Sequence, residues 1–208
     1  MKKIKILFQG DSITDDNRDR LGDGLGIGYV AFAAKMLTQK YPDIDFEFIN
    51  RGISGNETGD LLSRLETDFI EISPDIVSIL IGINDVWHYA EKNESLPNEK
   101  FEENYRSILQ ALKDRTHAKI LMIEPFLFPH AHRQALRNDL NEKINVIRRL
   151  ALEYADAYLP LDGILYSFYI GKEESQLSPD GIHPEYLLGP VIAKEYCRAA
   201  ERIIKKLI

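Results

Sequence analysis

Ser12 stands in the run Gly10-Asp11-Ser12-Ile13-Thr14, directly after a short apolar stretch, and His183 follows Asp180-Gly181-Ile182 near the other end of the chain. A serine hydroxyl and an imidazole are the pair that acyl transfer needs, because the hydroxyl is a weak nucleophile until a base takes its proton. A histidine is such a base when its second ring nitrogen has a partner that sets the tautomer and stabilises the imidazolium. Asp180 lies three residues before His183, so one bend of the chain brings its carboxylate to the ring. Two further runs lie between these ends: Asn50-Arg51-Gly52-Ile53-Ser54-Gly55-Asn56 and Gly82-Ile83-Asn84-Asp85. The attacked carbonyl becomes an oxyanion, and fixed donors aimed at that oxygen stabilise the transition state. The Ser12 N–H, the Gly55 N–H and the Asn84 side-chain amide are three such donors. Asn84 is neutral, whereas an aspartate there would set a negative charge against the developing anion.

Each run taken alone reads equally well as ordinary structure: a serine helix cap, tight glycine turns, an Asn-Asp cap, a loop histidine. Together, in the right places, they cover the separate roles of acyl transfer. Ser54 is a poor rival to Ser12, because Gly52-Ile53-Ser54-Gly55 misses the G-x-S-x-G spacing by one residue; it is expected to bond within its loop. Gly22, Gly24, Gly26 and Gly28 match neither a dinucleotide fingerprint nor a Walker loop, and read as a flexible rim of the site leading into a helix. His130 and His132, near Glu124, are spaced as a loop pair rather than a metal site.

These loops must be held by a scaffold, and the hydrophobic pattern supplies one. Apolar runs at residues 4–8, 46–49, 76–81, 119–123 and 157–161 read as strands; the third is apolar almost throughout, as suits burial on both faces. Helical spacing predicts helices over 29–40, 58–68, 101–113, 136–155 and 188–206, and the charged stretch 91–103 reads as a solvated loop leading into the third. The alternation of strand and helix implies a parallel sheet with helices on both faces. Every run with chemistry then falls at the carboxyl edge of that sheet, where open α/β folds place their sites.

The four runs resemble the sequence blocks of the SGNH (GDSL-type) hydrolase family. The matches are Gly10-Asp11-Ser12-Ile13, the run around Asn50 to Gly55, Gly82-Ile83-Asn84-Asp85, and Asp180-x-x-His183, in order across almost the whole chain. The resemblance implies a flavodoxin-like three-layer α/β/α fold with a five-stranded parallel sheet, in one domain over 1–208. It implies a Ser12, His183, Asp180 triad and an oxyanion hole of Ser12, Gly55 and Asn84, with no metal or cofactor. The runs from Asn50 to Gly55 and from Ile79 to Trp87 are similar to the intracellular acetylxylan esterase branch, which implies an acetylated xylo-oligosaccharide or other small ester as substrate and allows a homo-oligomer. Asp11 beside the nucleophile, and Trp87, the only tryptophan, are then expected to face the substrate. A lysophospholipase-like esterase or thioesterase is the alternative within the enzyme class. A flavodoxin-like binding module without turnover is the alternative outside it.

Composition narrows the partners. The 208 residues, 44% hydrophobic and 28% charged, suit one ordinary globular domain, and a net charge of -7 disfavours nucleic acid and anionic membranes. The apolar run after the N-terminal lysines stops at Gln9, too early for a signal peptide, and no stretch reaches the roughly 20 apolar residues of a membrane span; a cytoplasmic location is expected. Cys197, the single cysteine, excludes an internal disulfide and is expected to be a buried structural thiol. A histidine base predicts that turnover falls as pH drops through the imidazole range, about 6.5 for a free ring, as adjusted by Asp180.

Overall fold

The apolar runs assemble into a five-stranded parallel sheet in the order β2-β1-β3-β4-β5, seen in a computed structural model that describes residues 1–20, 23–173 and 176–208. The strands are β1 (Lys2–Gly10), β2 (Ile44–Asn50), β3 (Ile76–Leu80), β4 (Lys119–Ile123) and β5 (Ala157–Leu159). Because side chains alternate along a strand, Ile4, Ile6 and Phe8 of β1 face one core and Leu7 faces the other. On β3, Ile76 and Leu80 join the first core, while Val77 and Ile79 join the second. Truncating a side chain such as Phe8, which is fully buried, would cost roughly 3–5 kcal/mol.

The helices form the two outer layers. They are α1 (Ser12–Asp15), α2 (Tyr29–Lys40), α3 (Thr58–Ser63), α4 (Ile83–Ala90), α5 (Asn98–Arg115), α6 (Arg137–Tyr154), α7 (Leu161–Tyr169) and α8 (Gly189–Leu207). On one face of the sheet, α8 turns Ile192, Ala193, Tyr196, Ala200, Ile203 and Ile204 into the first core beside Val30, Ala33 and Leu37 of α2. On the other, Leu61 of α3, Ile108 and Leu112 of α5, and Ile147 and Leu150 of α6 close the second core. The chain is thus a single three-layer α/β domain, as the strand-helix alternation predicts.

The strand order reverses direction at β1: the chain steps from β1 to β2 on one side, then returns to place β3 on the other. Gly10, the last residue of β1, pairs with Leu80, the last of β3. The crevice beyond these two ends is the topological switch point where open α/β sheets hold ligands.

The observed elements depart from the expected ones in four places. The helix expected over 58–68 stops at Ser63 and continues as a π-helical turn, Glu66–Ile70. There the Asp68 carbonyl accepts the Gln9 side-chain amide at 2.5 Å instead of continuing an α-helical ladder. Residues 83–90 and 161–169 are helices that the pattern left unassigned, so β5 ends at Leu159. The expected solvated loop at 91–103 is short, since α5 begins at Asn98, and Leu96 is buried. Cys197 is half-buried beside the Ala33 carbonyl, and burial pushes its thiol up to about 11. Among the described residues, no helix is long and apolar enough to cross a membrane.

Candidate active site

Ser12 opens α1, two residues beyond the end of β1, where a single helical turn lifts its hydroxyl into the crevice. The turn is capped by Asp11, whose Oδ1 accepts the Ile13 N–H at 3.0 Å. Asp11, expected to face the substrate, uses this oxygen for the cap. Its side chain is 1% exposed, and burial lifts its carboxyl to about 7.

The Ser12 Oγ lies 2.8 Å from His183 Nε2, and His183 Nδ1 lies 2.6 Å from Asp180 Oδ2. The second oxygen of Asp180 accepts the backbone N–H groups of Ile182 at 2.9 Å and His183 at 2.8 Å. Burial alone would raise the Asp180 carboxyl. The hydrogen bonds from the His183 ring and from these two N–H groups outweigh it and bring the group down to about 2. Ser178 closes the same loop from within, its hydroxyl donating to the His183 carbonyl at 2.6 Å and accepting the Gly181 N–H at 2.8 Å.

The second and third runs are laced to the first. Asp15 of α1 accepts both the N–H and the hydroxyl of Ser54, at 3.1 and 2.7 Å, so Ser54 bonds across to the turn after β1 rather than within its own loop as expected. Asn50 donates to the Thr14 and Leu25 carbonyls and accepts the Gly52 N–H. Gly55 has a φ of 83°, a left-handed conformation that a side chain would strain. The Asn84 side chain is buried and gives one N–H to the Asn56 carbonyl at 3.0 Å. A primary amide carries two N–H groups, and this bond uses one of them. Asp85 ties this run to the start of α3, accepting the Thr58 N–H at 3.1 Å and its hydroxyl at 2.5 Å. Burial lifts the Asp85 carboxyl to about 7 despite those bonds.

Trp87 and Arg133 flank the histidine. The Trp87 ring meets His183 edge-on at 6.4 Å between centroids. One face of the indole is covered by the Arg133 guanidinium, 4.3 Å from the ring centroid, so that face is not an open platform for a ligand. Arg133 also donates from Nε to the Asp180 carbonyl at 3.3 Å. A cavity of about 330 Å³ opens onto Ser12 and His183 and is walled by Asp15, Asp16, Asn17, Asp19, Arg20 and Ser54.

Of the predicted site residues, Ser12, Asp180 and His183 come together in one hydrogen-bonded chain, Gly55 lies just before α3 and Asn84 in the first turn of α4, and Asp11 is buried. Sequence reading passed over Asp15, Asn50, Ser178, Arg133 and the pair His88–Glu57. Asn50 lay inside a motif run and Ser178 two residues before Asp180, which was their one signal. Of the glycine-rich rim, Gly22 lies outside the described residues, and Gly28 caps α2. Glu124 is buried against Arg148 and Tyr158, and no group of three metal-binding side chains occurs among the described residues. The arrangement as a whole can take a proton from a hydroxyl and hold an anion beside it.

A model of the GDSL-like lipase/acylhydrolase family matches residues 8–186. The chain is 33% identical over 207 residues to an acetylxylan esterase of Geobacillus stearothermophilus, covering 93% of this chain and 92% of that protein. Among solved structures, a mutant of the acetyl-xylooligosaccharide esterase Axe2 of Geobacillus superposes with a TM-score of 0.87 at 30% identity, over 96% of this chain and 95% of that one. LAE5, an alpha/beta hydrolase enzyme from the metagenome of Lake Arreo, gives 0.87 at 26% identity, over 96% of each chain.

Proposed function

Since the chain belongs to the GDSL-like lipase/acylhydrolase family and is a carboxylic ester hydrolase, we propose that it is a serine esterase removing acetyl groups from carbohydrate, with acetylated xylo-oligosaccharides as the leading substrate. The observation that carries the reading is the chain Ser12 Oγ to His183 Nε2, 2.8 Å, and His183 Nδ1 to Asp180 Oδ2, 2.6 Å. It is the arrangement by which an ionised carboxylate orients an imidazole that in turn deprotonates a hydroxyl.

In this reading His183 takes the Ser12 proton as Oγ bonds to the ester carbonyl carbon. The carbonyl electrons move onto oxygen, and the oxyanion is held by the N–H groups of Ser12 and Gly55 and by the second side-chain N–H of Asn84, each donor worth roughly 2.7–4 kcal/mol in comparable sites. The bond to the alcohol oxygen then breaks, and that oxygen leaves with the proton from His183. A water attacks the acyl-serine by the same route, His183 again taking the proton and returning it to Oγ as acetate departs.

Short acyl groups are supported by the cavity walls. Asp15, Asp16, Asn17 and Asp19 beside Ser12 are poor neighbours for a long alkyl chain, which needs apolar lining, and this weighs against a lysophospholipase or long-chain thioesterase. The test is acetate release from acetylated xylo-oligosaccharides by the wild type and by Ser12→Ala, with an aryl ester chain-length series alongside. Turnover in the wild type alone, and a preference for acetyl, is the expected result. Undiminished activity of Ser12→Ala, or preference for long acyl esters, would overturn it.

A further inference from the structure

His88 lies four residues after Asn84 on α4 and therefore on the same face of the helix. Glu57, at the start of α3 just beyond Gly55, sets its Oε1 2.9 Å from His88 Nδ1. A carboxylate can only accept, so Nδ1 carries the hydrogen, and in the neutral ring the lone pair is on Nε2. Nε2 makes no hydrogen bond to another described residue, and the side chain is 33% exposed. Its neighbour Cε1 is the one heavy atom within 4.0 Å of where a Cβ on Gly55 would sit, sequence neighbours aside. The ring thus overlooks the open ground beside an expected oxyanion donor, held between Glu57 and the Trp87 ring, 5.9 Å away.

We propose that His88 is a specificity-determining residue, accepting through Nε2 a hydrogen bond from a substrate hydroxyl next to the ester. A fixed acceptor selects a donor. Its chemical partner is an ester of a polyol or sugar whose neighbouring carbon carries a free hydroxyl, and an alkyl or ether neighbour leaves the lone pair unmatched. Since Glu57 already fixes the ring, little ordering cost remains at binding. The inference rests on the reading of this site as an esterase centre and narrows its substrate to partly acylated polyols.

The test compares 2-hydroxyethyl acetate with 2-methoxyethyl acetate, esters that differ in the hydroxyl hydrogen. The wild type is expected to favour the hydroxyl ester in kcat/KM by about fivefold, the effect of one neutral hydrogen bond. The preference should reside in KM and fall to about one in His88→Ala. Glu57→Ala, which frees Nδ1 and lets the ring change tautomer, should erode it as well and serves if His88→Ala does not fold. A wild type indifferent to the hydroxyl, or a His88→Ala variant with the ratio intact, would overturn the proposal. Failure to cleave acetylated xylo-oligosaccharides, with the His88-dependent preference retained, would remove the carbohydrate reading and leave this one standing.

Discussion

Asp180 holds His183 at two points, through Oδ2 on the ring Nδ1 at 2.6 Å and through Oδ1 on the backbone N–H at 2.8 Å. One carboxylate thereby sets the backbone of the loop, the direction of the ring and its tautomer. With its pKa down at about 2, it stays ionised wherever an esterase works. In Asp180→Asn the amide oxygen can keep the backbone contacts, but an NH2 would face Nδ1 and reverse the tautomer. We expect kcat to fall by on the order of 10⁴, as for the same change in a serine protease triad, with the melting temperature shifted by only a few degrees. Steady-state kinetics and a thermal melt check both, and a loss below tenfold would exclude Asp180 as the orienting group.

Gly181 occupies the middle of that loop at a φ of 84°, and a Cβ there would fall 2.6 Å from the Cβ of His130 and 2.9 Å from Cγ of Arg133. The Gly181 carbonyl also accepts the Phe128 N–H at 2.9 Å, so the segment after β4 is a backing plate for the Asp180–His183 loop. Gly181→Ala must strain φ and push the two segments apart, at a cost of about 1–3 kcal/mol. The expected signature is a lower melting temperature with kcat reduced more than KM. A variant that melts and turns over like the wild type would show that the loop is not braced here.

The order of elements was legible because five apolar runs alternate with helical spacing, and the helix over 29–40 matches residue for residue. What escaped had weaker contrast. In α4, Ile83, Val86, Trp87 and Ala90 do recur at helical spacing, but the run is short and begins inside the motif Gly82 to Asp85, where the buried Asn84 and Asp85 dilute the apolar signal. In α7, Leu161, Leu165 and Tyr169 do recur at helical spacing, but Leu161 also prolongs the apolar run of β5. The site followed the same logic. Ser12, Asp180 and His183 announce themselves by type and spacing, whereas Arg133 meets Asp180 and Trp87 only through tertiary packing. Asp11 was expected to face the substrate because it adjoins Ser12, but adjacency in sequence says nothing of burial, and it is 1% exposed and its carboxylate caps the Ile13 N–H.

Asp11 and Asp85 give stability a pH dependence of definite sign. Burial raises both carboxyls to about 7 in the folded chain, against about 3.9 when unfolded. Between those values the folded state holds more protons than the unfolded one, so each group's contribution to stability declines as pH rises from about 4 to about 7 and then levels. Asp16, also raised by burial, adds to the same trend, while Asp180 contributes only at the acid extreme where its pKa of about 2 is approached. Asp11→Asn keeps an acceptor for the Ile13 N–H without the charge. Its melting temperature relative to the wild type should therefore rise from about pH 4 to about pH 7 and then level, and a difference independent of pH would show that Asp11 does not titrate in this range.

Trp87 separates a wall from a brace. With the Arg133 guanidinium 4.3 Å from the centroid on one face and His183 against the ring edge-on, the indole links the segment after β4 to the histidine it must keep in place. Arg133 reaches the Asp180 carbonyl from the same position, so loss of the ring would release both contacts. A cation-π pair of this kind is worth about 0.5–2 kcal/mol. Trp87→Ala is accordingly expected to lower kcat by up to roughly tenfold on an aryl acetate and on an acetylated sugar alike, with their KM values little changed. Trp87→Phe, which still offers Arg133 a ring face, should recover most of that loss. If Trp87→Ala instead raises KM for the sugar ester and spares the aryl acetate, the indole touches the sugar, and the bracing assignment is wrong.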